Sequence, residues 1–213
     1  MRRLAAIFGA ALIFWVMFCF GFGVGRATAA PGDELAVETA AWIGTTVGAP
    51  PMFRALVPVE AEETDAGTIV GYVSSDRPGE AQIMRQYLGA WSRAAAGAEQ
   101  GPLTADAAAT VLHELLHRGP VVGWDIDPYL EEGITEAVTE DLLPAWSQHF
   151  LGYTLHPWEV APSYTREVTY IRTQSARATG SSWRSRAARL WRRAFYLADR
   201  AGRLSMIFER GGS

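Results

Sequence analysis

Ala105-Asp106-Ala107-Ala108-Ala109-Thr110-Val111-Leu112-His113-Glu114-Leu115-Leu116-His117 is the stretch on which the reading of this 213-residue chain turns. Thr104 in front of it suits an N-cap, and Gly119-Pro120 breaks the run beyond it, so the pattern predicts a helix to about Arg118. Two histidines at i and i+4 lie one above the other on a single helix face, so both imidazoles can reach one cation. Glu114 lies about 100° from His113 around the helix. From there it points at a water beside such a cation rather than at the cation itself.

On either side of this stretch the chain reads as α-rich. Ala36–Val47 predicts a short helix, ended by a turn at Ala49-Pro50-Pro51. Thr68–Ser74 is β-branched and aromatic and reads as a strand ended by Asp76-Arg77-Pro78-Gly79. Glu80–Ala96 reads as a helix, with Ile83, Met84, Tyr87, Leu88 and Trp91 at helical spacing. Tyr129–Leu143 reads as a helix closed by Pro144, and residues 145–162 as irregular. Tyr164–Thr179 and Ser182–Arg210 read as two more helices separated by Gly180. The expected class is α+β, a single α-rich domain with a small sheet near residues 53–75.

Composition narrows the setting. Half of the residues (49%) are hydrophobic, which argues against disorder and allows one domain with a proper core. Arg2 and Arg3 precede an apolar run from Leu4 to Gly25, followed by Ala27-Thr28-Ala29-Ala30-Pro31. That order describes an export signal cleaved after Ala29, and the run is also just long enough to stay as a membrane anchor. Either way the rest of the chain is expected to be secreted or held on the extracytoplasmic side. Cys19, the only cysteine, lies inside this segment, so the exported part has no disulfide and no thiol chemistry. Any metal site there must use His and carboxylate ligands.

The net charge of −4 hides an asymmetry. Residues 27–162 carry 5 Arg against 20 Asp and Glu, whereas residues 163–213 carry 11 Arg against 3. In the basic end, Trp183, Trp191, Phe195 and Tyr196 interleave with arginines. The preferred reading is a helix that packs its aromatic face on the domain while its arginines meet the acidic half. The other reading is an interfacial helix on anionic lipid or cell wall. Export makes nucleic acid an improbable partner.

His113 to His117 spells H-E-x-x-H, the arrangement of zinc peptidases. A catalytic zinc wants three protein ligands and a water, so a third donor is needed. Downstream, Glu132, Glu136 and Glu140 share one helix face at i, i+4 and i+8. Stacked carboxylates repel one another, and a nearby dication with two histidines would remove the repulsion. His113–His117 followed by Glu132-Gly133-Ile134-Thr135-Glu136 resembles the gluzincins, thermolysin-like zinc metallopeptidases with a Glu third ligand. The segment Asp127–Gly133 is especially similar to their aminopeptidase-like branch. That resemblance implies zinc held by His113, His117 and Glu132, with Glu136 one turn later orienting a histidine. A rival alignment, with thermolysin itself, makes Glu136 the ligand and Glu140 the group behind it.

For activity, the resemblance implies peptide hydrolysis, with Glu114 as general base and then acid. Thr68–Ser74 could serve as the edge strand that holds an extended peptide. The family usually takes an oxyanion donor from a downstream Tyr or His, and the candidates are His149, Tyr153, His156, Tyr164 and Tyr170. The expected layout is a signal or anchor over 1–29, a metallopeptidase-like domain over 30–162 and basic helices over 163–213. The competing expectation is a membrane-associated binding protein without turnover, using residues 4–25 or the basic end.

Overall fold

Several helix and strand boundaries differ from those the sequence pattern predicts, and local packing and capping account for the differences. The computed structural model describes residues 31–48, 55–60, 62–64, 67–73, 77, 79–98, 101–117 and 128–208. The expected export segment 1–29, the turn at 49–51 and the loop after His117 lie outside the described residues. Among the described residues no helix is long and apolar enough to cross a membrane. The architecture is mostly helical with a small mixed sheet, an α+β arrangement.

The chain begins with helix α1 (Pro31–Val47) and enters strand β1 (Ala55–Val59). Strands β2 (Glu62–Thr64) and β3 (Gly67–Ile69) form an antiparallel hairpin. Strand β4 (Gly71–Tyr72) and strand β5 (Glu80–Met84) complete a three-stranded sheet in the order β1-β5-β4. β1 runs parallel to β5, with Leu56 opposite Ala81, and β4 runs antiparallel to β5, with Gly71 opposite Ile83. The strand expected over Thr68–Ser74 is thus divided between two sheets.

The apolar spacing predicts that Glu80–Met84 opens a helix, yet this segment is the central strand, and only Arg85–Ala95 (helix α2) is helical. The sequence signal misleads because Ala81, Gln82, Ile83 and Met84 are all buried. A strand covered on both faces shows a continuous apolar run, which periodicity cannot tell from a helix. Gln82 is accommodated because Tyr72 donates a 2.6 Å hydrogen bond to its Oε1.

Helix α3 (Pro102–Leu116) starts earlier than Thr104 suggests, with Gly101 extended in front and Pro102 at the first helical position. Proline suits that position because its missing N–H has no helical partner there. Helix α4 (Pro128–Phe150) runs straight through Pro144 instead of ending there. Proline inside a helix costs about 3 kcal/mol. Burial of Leu142, Leu143, Trp146 and Ser147 on both sides offsets that cost. The expected irregular stretch therefore begins only after Phe150 and contains a 3-10 turn at Pro157–Glu159.

Helix α5 (Thr165–Thr179) ends at Gly180, which adopts φ 61°. The single helix expected over 182–210 is two, α6 (Arg186–Leu197) and α7 (Arg200–Phe208). Ser185 caps α6 by accepting a 3.1 Å bond from the Ala188 N–H. Asp199 Oδ1 accepts from the Gly202 N–H at 2.8 Å and so starts α7 without any Gly or Pro to signal the break.

α4 sits between α3, α5 and α6 and contributes Ile134, Val138, Leu142 and Trp146 to the core. Gly133 sets how closely α5 approaches, since a Cβ there would lie 2.6 Å from the Glu167 Cβ and 2.9 Å from its backbone carbon. The basic end is tied to α4 by buried guanidinium groups. Arg192 pairs with both oxygens of Asp141 (2.8 and 2.6 Å) and also donates to Ser175 Oγ and the Trp183 carbonyl. Arg203 pairs with Glu131 at 2.5 Å and donates to the carbonyls of Phe195 and Tyr196.

Arg192→Leu leaves Asp141 unpaired against the core and is expected to destabilise the protein by about 3–5 kcal/mol in urea denaturation. Adding Asp141→Leu should recover a large part of that loss. A single-variant loss no larger than that of an exposed pair, about 0–1 kcal/mol, would contradict the assignment.

Candidate metal centre

Two helices meet to build the site. α3 brings His113 and His117, both less than a tenth exposed, to the face that meets the first turns of α4. Tyr196 donates a 2.5 Å hydrogen bond to the Leu116 carbonyl, so α6 secures the end of the histidine helix. The His113 Nε2 lies 3.0 Å from Glu132 Oε2, and the His117 Nε2 lies 3.4 Å from the same oxygen. These three donor atoms all fall within 4.8 Å of one another. Bond lengths of about 2.0–2.1 Å at tetrahedral angles put neighbouring ligand atoms about 3.3 Å apart. The two contacts to Glu132, at 3.0 and 3.4 Å, are close to that spacing, and the three residues could hold a metal ion.

Glu136 stands on the other side of His113, with Oε2 2.8 Å from Nδ1. It meets the far ring nitrogen and leaves Nε2 facing Glu132 and His117. A carboxylate in that place fixes the tautomer and orientation of a ligand histidine and raises its basicity. Glu140, the third member of the acidic stripe, is paired with Arg172 instead. In the thermolysin-type alignment Glu136 would be the ligand and Glu140 would stand behind it. Here Glu136 faces the Nδ1 side and Glu140 is engaged elsewhere.

The electrostatics arise from these contacts. Burial opposes charging of His113, but its bonds to Glu132 and Glu136 and the nearby Glu114 outweigh that and raise its pKa to about 10. Burial works against ionisation of Glu132 as well, and the hydrogen bonds from His113 and His117 nevertheless hold its carboxyl well below the usual range. Glu140 is shifted upward by burial, an effect that Arg172 opposes and Glu136 reinforces.

Glu114 is buried, with Oε2 3.8 Å from His117 Nε2. Its side chain lies directly under strand β4. A Cβ on Gly71 would sit 2.9 Å from both the Cγ and Oε1 of Glu114, so only glycine lets the strand come so close. β4 is also an edge of the sheet, paired to β5 on one side.

Tyr164 is the residue that the motif does not single out from the other candidates. Its ring stacks on His113 at 5.6 Å and 10°, and Glu132 is among the charges that act on its hydroxyl. Burial, together with the negative charges of Glu132, Glu114 and Glu136, pushes its pKa up, which keeps the hydroxyl a proton donor. Its backbone adopts φ 46°, a conformation that costs a bulky residue about 1–3 kcal/mol and concentrates at functional sites. Nothing in the sequence marks an aromatic residue for positive φ. The other candidates sit elsewhere: His149 packs on Trp42 and Phe150, and His156 stacks on Trp158. Tyr170 lines a cleft with Tyr129, and Tyr153 packs against the core.

Purified protein is expected to retain about one dication per chain after dialysis against a weak chelator, as read by elemental analysis, and His117→Ala to lose it. Glu136→Gln should weaken the metal by about 10–100-fold without removing a ligand. Cation and proton compete for His113, whose pKa is raised to about 10. Metal uptake at neutral pH should therefore release a proton, and affinity should rise with pH, which calorimetry in buffers of different ionisation enthalpy checks. Metal binding unchanged in both variants would contradict this ligand set.

The chain matches no protein-family model, no curated protein and no solved structure. Its function is accordingly read from the geometry of this site.

Proposed function

We propose that the protein is a zinc-dependent peptidase of gluzincin-like design, with His113, His117 and Glu132 as ligands and Glu114 as the general base. The observation that carries this reading is the convergence of His113 Nε2, His117 Nε2 and Glu132 Oε2 beside the buried Glu114 carboxylate. A dication bound there would polarise the scissile carbonyl and acidify water.

The chain's own residues supply the remaining work. Glu114 takes a proton from the attacking water and passes it to the leaving amine. The Tyr164 hydroxyl, on a ring stacked against His113, donates a hydrogen bond to the charge that develops on the carbonyl oxygen. The backbone of β4 pairs with an extended peptide along the side that carries no strand among the described residues, and lays the scissile bond over Glu114. Gly71 is what lets β4 itself lie this close to Glu114. In this reading Glu136 orients His113, and the export of the domain by residues 1–29 places the activity outside the cytoplasm.

Glu114→Gln is expected to lower hydrolysis of casein or a fluorogenic peptide library by at least about 10²–10⁴-fold with the metal content unchanged. Tyr164→Phe should lower kcat by about 10²–10³-fold with KM little altered. Full activity in Glu114→Gln would remove Glu114 as the general base, whereas metal-loaded wild type with no activity on any peptide would favour a binding protein without turnover.

A further inference from the structure

Among residues that neighbour the metal centre in sequence, α4 and α5 leave an open cleft of about 370 Å³ lined by Tyr129, Leu130, Arg166, Glu167 and Tyr170. Its position ties it to the site. Tyr129 lies one turn before Glu132 on the same helix face, as i and i+3. Arg166 follows two residues after Tyr164, which stacks on His113. Glu167, which lines the cleft, also makes the tight crossing with Gly133, the residue next to Glu132.

The cleft is lined by one cation, Arg166, and one anion, Glu167. Arg172, Arg192 and Arg203, all farther along the chain, are each engaged by an acid of α4. Arg166 is exposed and forms no ion pair among the described residues. It also sits in the first turn of α5, where the helix macrodipole disfavours a cation. Glu167, at the third position of that turn, has its charge favoured by the same helix end. The guanidinium, with no ion pair among the described residues, is available to a ligand, and its planar fork matches a carboxylate. Two tyrosine rings and Leu130 provide an apolar wall for the carbon skeleton that carries it.

We propose that this cleft is the specificity pocket of the same site and that Arg166 clamps a carboxylate of the peptide, either an Asp or Glu side chain or the free C-terminus. Tyr129 and Tyr170 flank the apolar part of that residue. The inference rests on the peptidase reading, because it takes the metal centre to be where the peptide is held.

The test measures dissociation constants of the zinc-loaded full chain for peptide hydroxamates of increasing length. Each length is made with a free C-terminal carboxylate, with a C-terminal amide, and with an amide preceded by Glu. At the length that spans the cleft, one or both carboxylate forms should bind about tenfold or more tightly than the neutral amide. Arg166→Gln should erase that preference while zinc content and binding of the neutral hydroxamate stay unchanged. Which of the two carboxylate ligands is preferred distinguishes a side-chain acid from a terminus. Equal binding of all three by the wild type, or a preference that survives Arg166→Gln, overturns the pocket and leaves the metal centre intact. Zinc-loaded protein that binds none of the hydroxamates overturns the reading on which the pocket rests.

Discussion

Five carboxylates on a single, largely buried helix impose the constraint that the rest of the molecule meets. α4 carries Glu131, Glu132, Glu136, Glu140 and Asp141. Left unmatched, such a row would repel itself and bear a large desolvation cost. Each acid instead has a cationic or imidazole partner drawn from another element. Arg203 meets Glu131, Arg172 meets Glu140 and Arg192 meets Asp141. The two remaining acids, Glu132 and Glu136, face histidines rather than arginines. That division separates a structural set of ion pairs from a set that can hold a dication.

This arrangement gives the opposed charges of the two parts of the chain a physical role. The basic end is built into the fold, with Arg192 and Arg203 almost wholly buried. Its helices also reach both halves of the site, through the Tyr196 bond to Leu116 behind the histidines and the Arg203 bond beside Glu132. Two glycines then fix the close approaches that side chains would block. Gly133 sets α5, and with it Tyr164, against α4, while Gly71 sets the edge strand against Glu114. The site is thus defined by crossings of rigid elements, the kind of support that keeps reacting groups in register.

The site is legible in the sequence to the extent that it is local. His113, Glu114 and His117 come from one helical spacing, and Glu132 with Glu136 from another. Their meeting depends on how α3 crosses α4, which spacing alone leaves open between two alignments. Tyr164 is one of several unranked candidates in the sequence because its placement comes from a backbone strain and a long-range stack. The strand Glu80–Met84 passes for a helix because burial on both faces removes alternation. The passage of α4 through Pro144 is hidden because tertiary packing overrides a local breaker. The arginine partners show in the sequence only as a charge balance, since pairing one guanidinium with one carboxylate is a property of the packed state.

The central claim is that two imidazoles and the Glu132 carboxylate bind one dication in a four-coordinate site. X-ray absorption at the zinc edge of the loaded protein tests it most directly. The account predicts a single shell of nitrogen and oxygen at about 2.0–2.1 Å. It should carry the outer scattering of two imidazoles, fall to one in His117→Ala, and show no sulfur. A six-coordinate oxygen shell without imidazole scattering, or a spectrum unchanged in His117→Ala, would contradict it.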